Sequence, residues 1–234
     1  MEHTNIRQHS PQQIEEETRR FFQKVYAWMF LGLLVSGVIA FWSATSPQMT
    51  ALILFNKWIF YGLLIFQLLL VIGLVSFVKK ISANAAIAMF LLYSFTTGLT
   101  LSVIFFVFTL GSIGQVFIIT AGMFGAMSLY GYTTKKDLTG MGQMLIMALF
   151  GLIIASLVNI FMRNSMFDFI ISLFGVVIFT GLTAYDTQKI KKENIIGNEG
   201  TEEDTKESIM GALRLYLDFI NLFLHLLRLL GKRK

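Results

Sequence analysis

The chain has 234 residues, of which 55% are hydrophobic and only 14% charged, with a net charge of +5 and no cysteine. A soluble domain carries roughly a quarter charged residues, and the lack of cysteine excludes disulfides and thiol chemistry. Uncharged runs cover 25–56, 58–78, 81–134, 138–162 and 169–185, each close to or beyond the roughly 20 apolar residues of a spanning helix, so the chain reads as a membrane protein.

In chain order, the polar segment 1–24 carries Glu15, Glu16, Glu17, Arg19, Arg20 and Lys24. It lacks the apolar core of a signal peptide, so the first span is expected to act as its own insertion signal. Ser10-Pro11 has the form of a helix start, with Ser as N-cap and Pro at the first position, opening a short interfacial helix that runs into span one. Spans follow at about 25–45, 58–78, 83–109, 115–133, 143–162, 168–187 and 208–231. Gly111-Ser112-Ile113-Gly114 reads as a turn and Asn164-Ser165 as a polar break. The charged stretch 188–207 reads as a mobile loop. Gly122/Ala126 and Ala121/Gly125 have the small-xxx-small spacing of close helix packing. The chain therefore divides into a polar, cytoplasmic segment 1–24, a seven-helix all-α membrane domain 25–231 and a basic tail 232–234.

Lysine and arginine set the topology. Arg7, Arg19, Arg20 and Lys24 precede span one. Lys79 and Lys80 follow span two, and Lys135 and Lys136 follow span four. Lys189, Lys191, Lys192 and Lys206 follow span six, while the alternate connections hold only Lys57 and Arg163. This bias accounts for the net positive charge without nucleic acid. It places the N-terminus and the even-numbered loops in the cytoplasm. Seven crossings then put Lys232-Arg233-Lys234 on the wrong side of the rule, a conflict the sequence leaves open.

The last span differs from the rest. Arg214, Asp218, Asn221, His225 and Arg228 are spaced 4, 3, 4 and 3 apart and fall within about 80° of arc on a helix. Lipid satisfies no such face, so it must point into protein or water. Asp218 in its charged form would cost roughly 2.5–3.5 kcal/mol at depth, so it should be paired or protonated. Arg214, one turn earlier, is a local partner, and a purely structural Arg214–Asp218 pair is one reading. The second acid is Asp186, about 27 Å of helix after Asp168, which puts it near the cytoplasmic edge. Asp186 then lies at a depth similar to that of Asp218, and two adjacent carboxyls tend to share a proton. The competing reading of Asp186 is an interfacial acid neutralised by Lys189, Lys191 and Lys192.

Three motifs carry a resemblance. Ala121-Gly122-Met123-Phe124-Gly125-Ala126-Met127-Ser128, Gly181-Leu182-Thr183-Ala184-Tyr185-Asp186 and Leu215-Tyr216-Leu217-Asp218-Phe219-Ile220-Asn221-Leu222-Phe223 resemble the Bax inhibitor-1 family, in its bacterial inner-membrane branch. The resemblance implies seven helices with the C-terminal one enclosed by the other six. It also implies a pH-sensitive calcium leak, with Asp186 and Asp218 as ion pathway, sensor and metal-contacting pair. The family's latching Arg at the end of span two corresponds, by ungapped count from Gly98-Leu99-Thr100, to Lys80. A lysine cannot make the bidentate fork of an arginine, so any latch there should be weaker.

The leading expectation is thus a non-enzymatic leak pathway in the lipid bilayer of a bacterial inner membrane. Calcium or protons are its cargo, not cofactors. Asn221 and Thr183 could add oxygens to a weak site. The alternative is a regulatory protein that binds another membrane protein, such as a protease or death-pathway factor, through 188–207. An aspartyl protease fits less well, because Asp218 lies in no glycine loop and the only prolines are Pro11 and Pro47. His225 is the competing pH sensor.

Overall fold

The computed structural model describes residues 10–54 and 56–234, with the side chain of Leu54 outside that description. Arg7 and the rest of 1–9 lie outside the described residues. Nine helices run through the described chain: α1 (Pro11–Thr45), α2 (Pro47–Leu54), α3 (Lys57–Phe77), α4 (Ala83–Leu101), α5 (Ile104–Val107), α6 (Leu110–Thr133), α7 (Thr139–Met162), α8 (Ser165–Glu193) and α9 (Glu202–Leu230). Among the described residues seven segments are long and apolar enough to cross a membrane, with α4 and α5 forming one of them.

Helix ends follow local chemistry. Ser10 caps α1 as expected: its hydroxyl accepts from Gln13 N and the Gln13 side chain accepts from Ser10 N, with Pro11 in the first turn. As expected, the helix runs on into the first span. It runs unbroken for 35 residues, about 52 Å, straight through residues 24–25. Asn56, Ser82, Asn164 and Thr201 cap α3, α4, α8 and α9 with side-chain oxygens.

Two expectations fail here. Gly111-Ser112-Ile113-Gly114 is not a turn but the start of α6; the break comes earlier, around Ser102–Val103 and Phe108–Thr109. Intrahelical bonds such as Ile113 N to Thr109 O at 3.0 Å satisfy the backbone there, which outweighs the weak helix preference of glycine. Gly122 and Gly125 also take no part in close packing, since a methyl group added to either would meet nothing within 4 Å. Their small-xxx-small faces are exposed and so meet lipid.

The helix α9 is the most buried of the seven, with 67% of its apolar window inside the protein against 6% for α7. Its main neighbours are α8, α1, α6 and α4, while α3 lies chiefly on α4 and α7 on α8. The expected ring of six is thus four main neighbours and two outer helices. Lipid tails are as apolar as leucine, so tight packing and hydrogen bonds hold such helices together rather than water exclusion. Tyr216 shows both. It is wholly buried, meets the Phe90 and Tyr93 rings edge-on at 5.9 and 5.8 Å, and its hydroxyl lies 2.6 Å from Ser36 Oγ. Ser36 in turn lies 2.7 Å from Ser94 O, so one hydroxyl pair ties α9, α1 and α4.

The charged segment 188–207 is not a loose loop. Helix α8 continues to Glu193 and α9 starts at Glu202. The short connection is fastened to α1: Gly197 N donates to Glu17 at 2.7 Å, Arg20 pairs with Glu199 at 2.8 Å and Lys24 with Asp204 at 2.6 Å. It is also fastened to α4, where Ala83 N donates to Glu202 at 2.7 Å. Charge complementarity across elements, which composition alone does not reveal, orders a segment whose composition reads as disordered. The Asp204 side chain is only 3% exposed, so Lys24→Met would leave a buried carboxylate with the Gly200 amide as its remaining partner among the described residues. We expect a loss on the order of 1–3 kcal/mol, read as faster hydrogen exchange over 194–201, with Lys24→Arg close to wild type.

Candidate functional site

Asp186 reaches the bundle interior because α8 lies unusually close to α6 and α7. A side-chain carbon on Gly131 would overlap Ala184 O, and one on Gly142 would overlap the Tyr185 ring. Only glycine permits both approaches. They fix Ala184 and Tyr185 in place, and with them the direction of Asp186. Helix α9, tied by Tyr216, brings Asp218 to the other side of the α8–α9 contact.

The two carboxyls lie within hydrogen-bonding reach of each other. Asp218 is buried, and its Oδ2 meets no N–H or O–H donor among the described residues. Two carboxyls in this arrangement form a hydrogen bond only when they hold a proton between them. Without it they are two negative charges side by side, a site for a cation. No group of three or more His, Cys, Asp or Glu that could hold a metal is present among the described residues.

The polar face of α9 divides into levels. Arg214 does not pair directly with Asp218. Its guanidinium donates to Glu193 at the end of α8, while its charge acts on both Asp186 and Asp218. Glu193 is not apparent as a site residue in the sequence, because nothing in its local pattern shows that α8 extends far enough to deliver it. Asn221 donates to Leu217 O at 2.8 Å within its own helix. His225 stacks on Phe179 at 5.7 Å, and Gly175 makes room for its ring. Its Nδ1 has no partner among the described residues. Arg228 is exposed at the far end of α9. The Thr183 hydroxyl donates to Phe179 O at 2.8 Å.

Lys80 is exposed, with its ammonium 5.9 Å from the Phe77 ring centre. It is the neighbouring Lys79 that joins Arg214, Glu193, Lys206 and Glu207 in lining a cleft of about 750 Å³. This cleft opens at the lysine-rich end of the bundle and stops at Arg214, about 6 Å of helix from Asp218. Beside the pair runs a hydroxyl chain that the sequence does not disclose. Tyr26 of α1 bonds Ser128 of α6, Ser128 lies 2.9 Å from Thr187, and Thr187 donates to Thr183 O at 2.7 Å.

Comparison with known proteins gives the family. The family described as "Inhibitor of apoptosis-promoting Bax1" matches residues 18–234. The chain belongs to the Bax inhibitor-1 family. "Inner membrane protein YbhL" of Escherichia coli is 49% identical over 221 residues, covering 92% of each chain. An uncharacterized protein of Borreliella burgdorferi is 51% identical over 215 residues, covering 92% of this chain and 93% of its own. Uncharacterized protein RP147 of Rickettsia prowazekii is 45% identical over 223 residues, covering 94% and 92%. With seven apolar helices, this Bax inhibitor-1 member is a multi-pass inner-membrane protein.

The position of Asp186 depends on glycine at 131. Gly131→Ala places a methyl against the Ala184 carbonyl, so α6 and α8 must part. We expect a loss of about 1–3 kcal/mol, read as a lower melting temperature in detergent. Gly122→Ala, with open space around it, should stay within about 0.5 kcal/mol of wild type.

Proposed function

We propose that this protein is a pH-sensitive leak pathway for cations, calcium foremost, gated by Asp186 and Asp218. The observation that carries the reading is the pair itself: two carboxyls from consecutive helices within hydrogen-bonding reach, one buried, beneath a cleft that stops one helical turn away. With a shared proton, the pair holds α8 and α9 together and presents no net site. With the proton lost, the charges repel and attract a cation. Calcium needs six to eight oxygens, so water must complete the shell and binding is weak, as conduction requires.

The lysine-rich end is assigned to the cytoplasm by the positive-inside rule, so the cleft is the cytoplasmic mouth. Arg214 and Glu193 stand across its floor. In this reading Arg214, held by Glu193, takes the role that the family resemblance gave to Lys80. The ion pair Lys192–Asp137, at 2.6 Å on the surface nearby, is no competitor as a sensor. Lys192 and Thr139 hold the Asp137 carboxyl well below the usual carboxylate range, so it stays ionised throughout neutral pH.

The test is calcium flux into liposomes that contain only this protein. Flux should rise severalfold between roughly pH 6 and pH 8, as the pair loses its proton. Asp186→Asn and Asp218→Asn should each flatten that response, while His225→Gln keeps it. A response lost only in the histidine variant moves the sensor about 10 Å along α9 and ends the two-aspartate mechanism. Absence of flux in wild-type liposomes ends the leak reading.

A further inference from the structure

We propose that the end of the bundle away from the lysine-rich loops carries a binding site for the phosphate headgroup of an anionic phospholipid. The site is a cleft of about 430 Å³ in which Arg163, Arg228 and Arg233 converge with Asn159, Ser165 and a single acid, Asp168. A cleft of this size accommodates a small headgroup. None of the three guanidiniums makes an ion pair among the described residues, and three cations against the one carboxylate of Asp168 leave the cleft with positive charge in excess.

Each arginine is brought there by a different piece of structure. Arg163 ends α7 in the left-handed backbone conformation, φ 51°, where glycine would sit without strain. Arg228 stands in the last turn of α9. Arg233 is held by a short antiparallel bridge to Phe108, with Thr109 N donating to Lys232 O at 3.1 Å. The first amides of α8 do not provide the anion contact, since Asn164 already accepts from Met166 N and Phe167 N. Recognition falls to the guanidiniums, whose planar fork suits phosphate oxygens.

The surroundings select a lipid over a free ion. Phe161, Met162, Met166 and Phe169 beside the cleft are all strongly exposed, an apolar surface that acyl chains cover. All three arginines stand at helix ends, the level of the headgroups. The site also resolves the charge conflict in the sequence. The positive-inside bias is satisfied at the other end of the bundle, so Arg228 and the basic tail are not topology signals. Arg228 and Arg233 are ligands for phosphate.

The purified full-length protein in detergent is titrated with phosphatidylglycerol, phosphatidylcholine or inorganic phosphate, following thermal unfolding and retained lipid by native mass spectrometry. Phosphatidylglycerol should stabilise and be retained, and phosphatidylcholine should do neither. The variant Arg163→Gln/Arg228→Gln/Arg233→Gln should bind phosphatidylglycerol about tenfold more weakly or worse. Arg233→Gln alone, in an exposed tail, keeps the test open should the triple variant not fold, and should lose part of the affinity. Lys135→Gln/Lys136→Gln, at the opposite end, should bind as wild type. Undiminished binding by the triple variant, or by Arg233→Gln where the triple variant does not fold, overturns the proposal. Equal weakening in the lysine control, or equal stabilisation by inorganic phosphate, also overturns it.

Discussion

Everything in this bundle depends on the fact that hydrocarbon cannot hydrogen-bond. A face carrying Arg214, Asp218, Asn221 and His225 has no place against lipid, so α9 must lie inside. The other helices then arrange around it, with their apolar surfaces outward. The outer helices α3 and α7 show the converse: nearly uniform apolar sequence and little burial. Because burial brings no water-exclusion gain here, cohesion rests on short contacts such as Gly131 against Ala184 and on the hydroxyl bonds of Tyr216 and Ser128. Small residues and hydroxyls do in this protein what large apolar side chains do in a soluble core.

The same constraint shapes the site. Water could solvate two carboxylates and keep them apart in energy, whereas a buried pair must hold a proton or a counter-ion. Arg214 is near enough to act on both carboxyls, yet it is bonded to Glu193. The pair is therefore neither fully compensated nor left alone. That intermediate condition suits a switch better than a permanent salt bridge, which would hold one state at all pH values near neutrality.

Much of this is legible from residues alone. The seven spans follow from charge-free runs, and the α9 stripe from 4-3-4-3 spacing. The nearness of Asp186 and Asp218 follows from depth arithmetic along two helices. What is not legible depends on partners distant in sequence. Glu17, Arg20 and Lys24 order the 194–201 connection from some 180 residues away. The extension of α8 to Glu193 supplies the partner of Arg214, and no local pattern announces it. Glycine misleads in both directions. It marks a turn at 111–114 that is helical, and it suggests packing at 122 and 125, whereas close contacts are made by other glycines, those at 98, 131, 142 and 175 among them. A local pattern shows that a residue is small, but not which neighbour comes close to it.

The length of α1 has a mechanical consequence. One unbroken rod grips α9 at two heights: at its head, where Lys24 binds Asp204, and in the membrane interior, where Ser36 binds Tyr216. A lever fixed at two points cannot tilt about either. Helix α9 is therefore clamped by α1 at two levels, while α8 is positioned separately, by the close approaches of Gly131 and Gly142 to Ala184 and Tyr185.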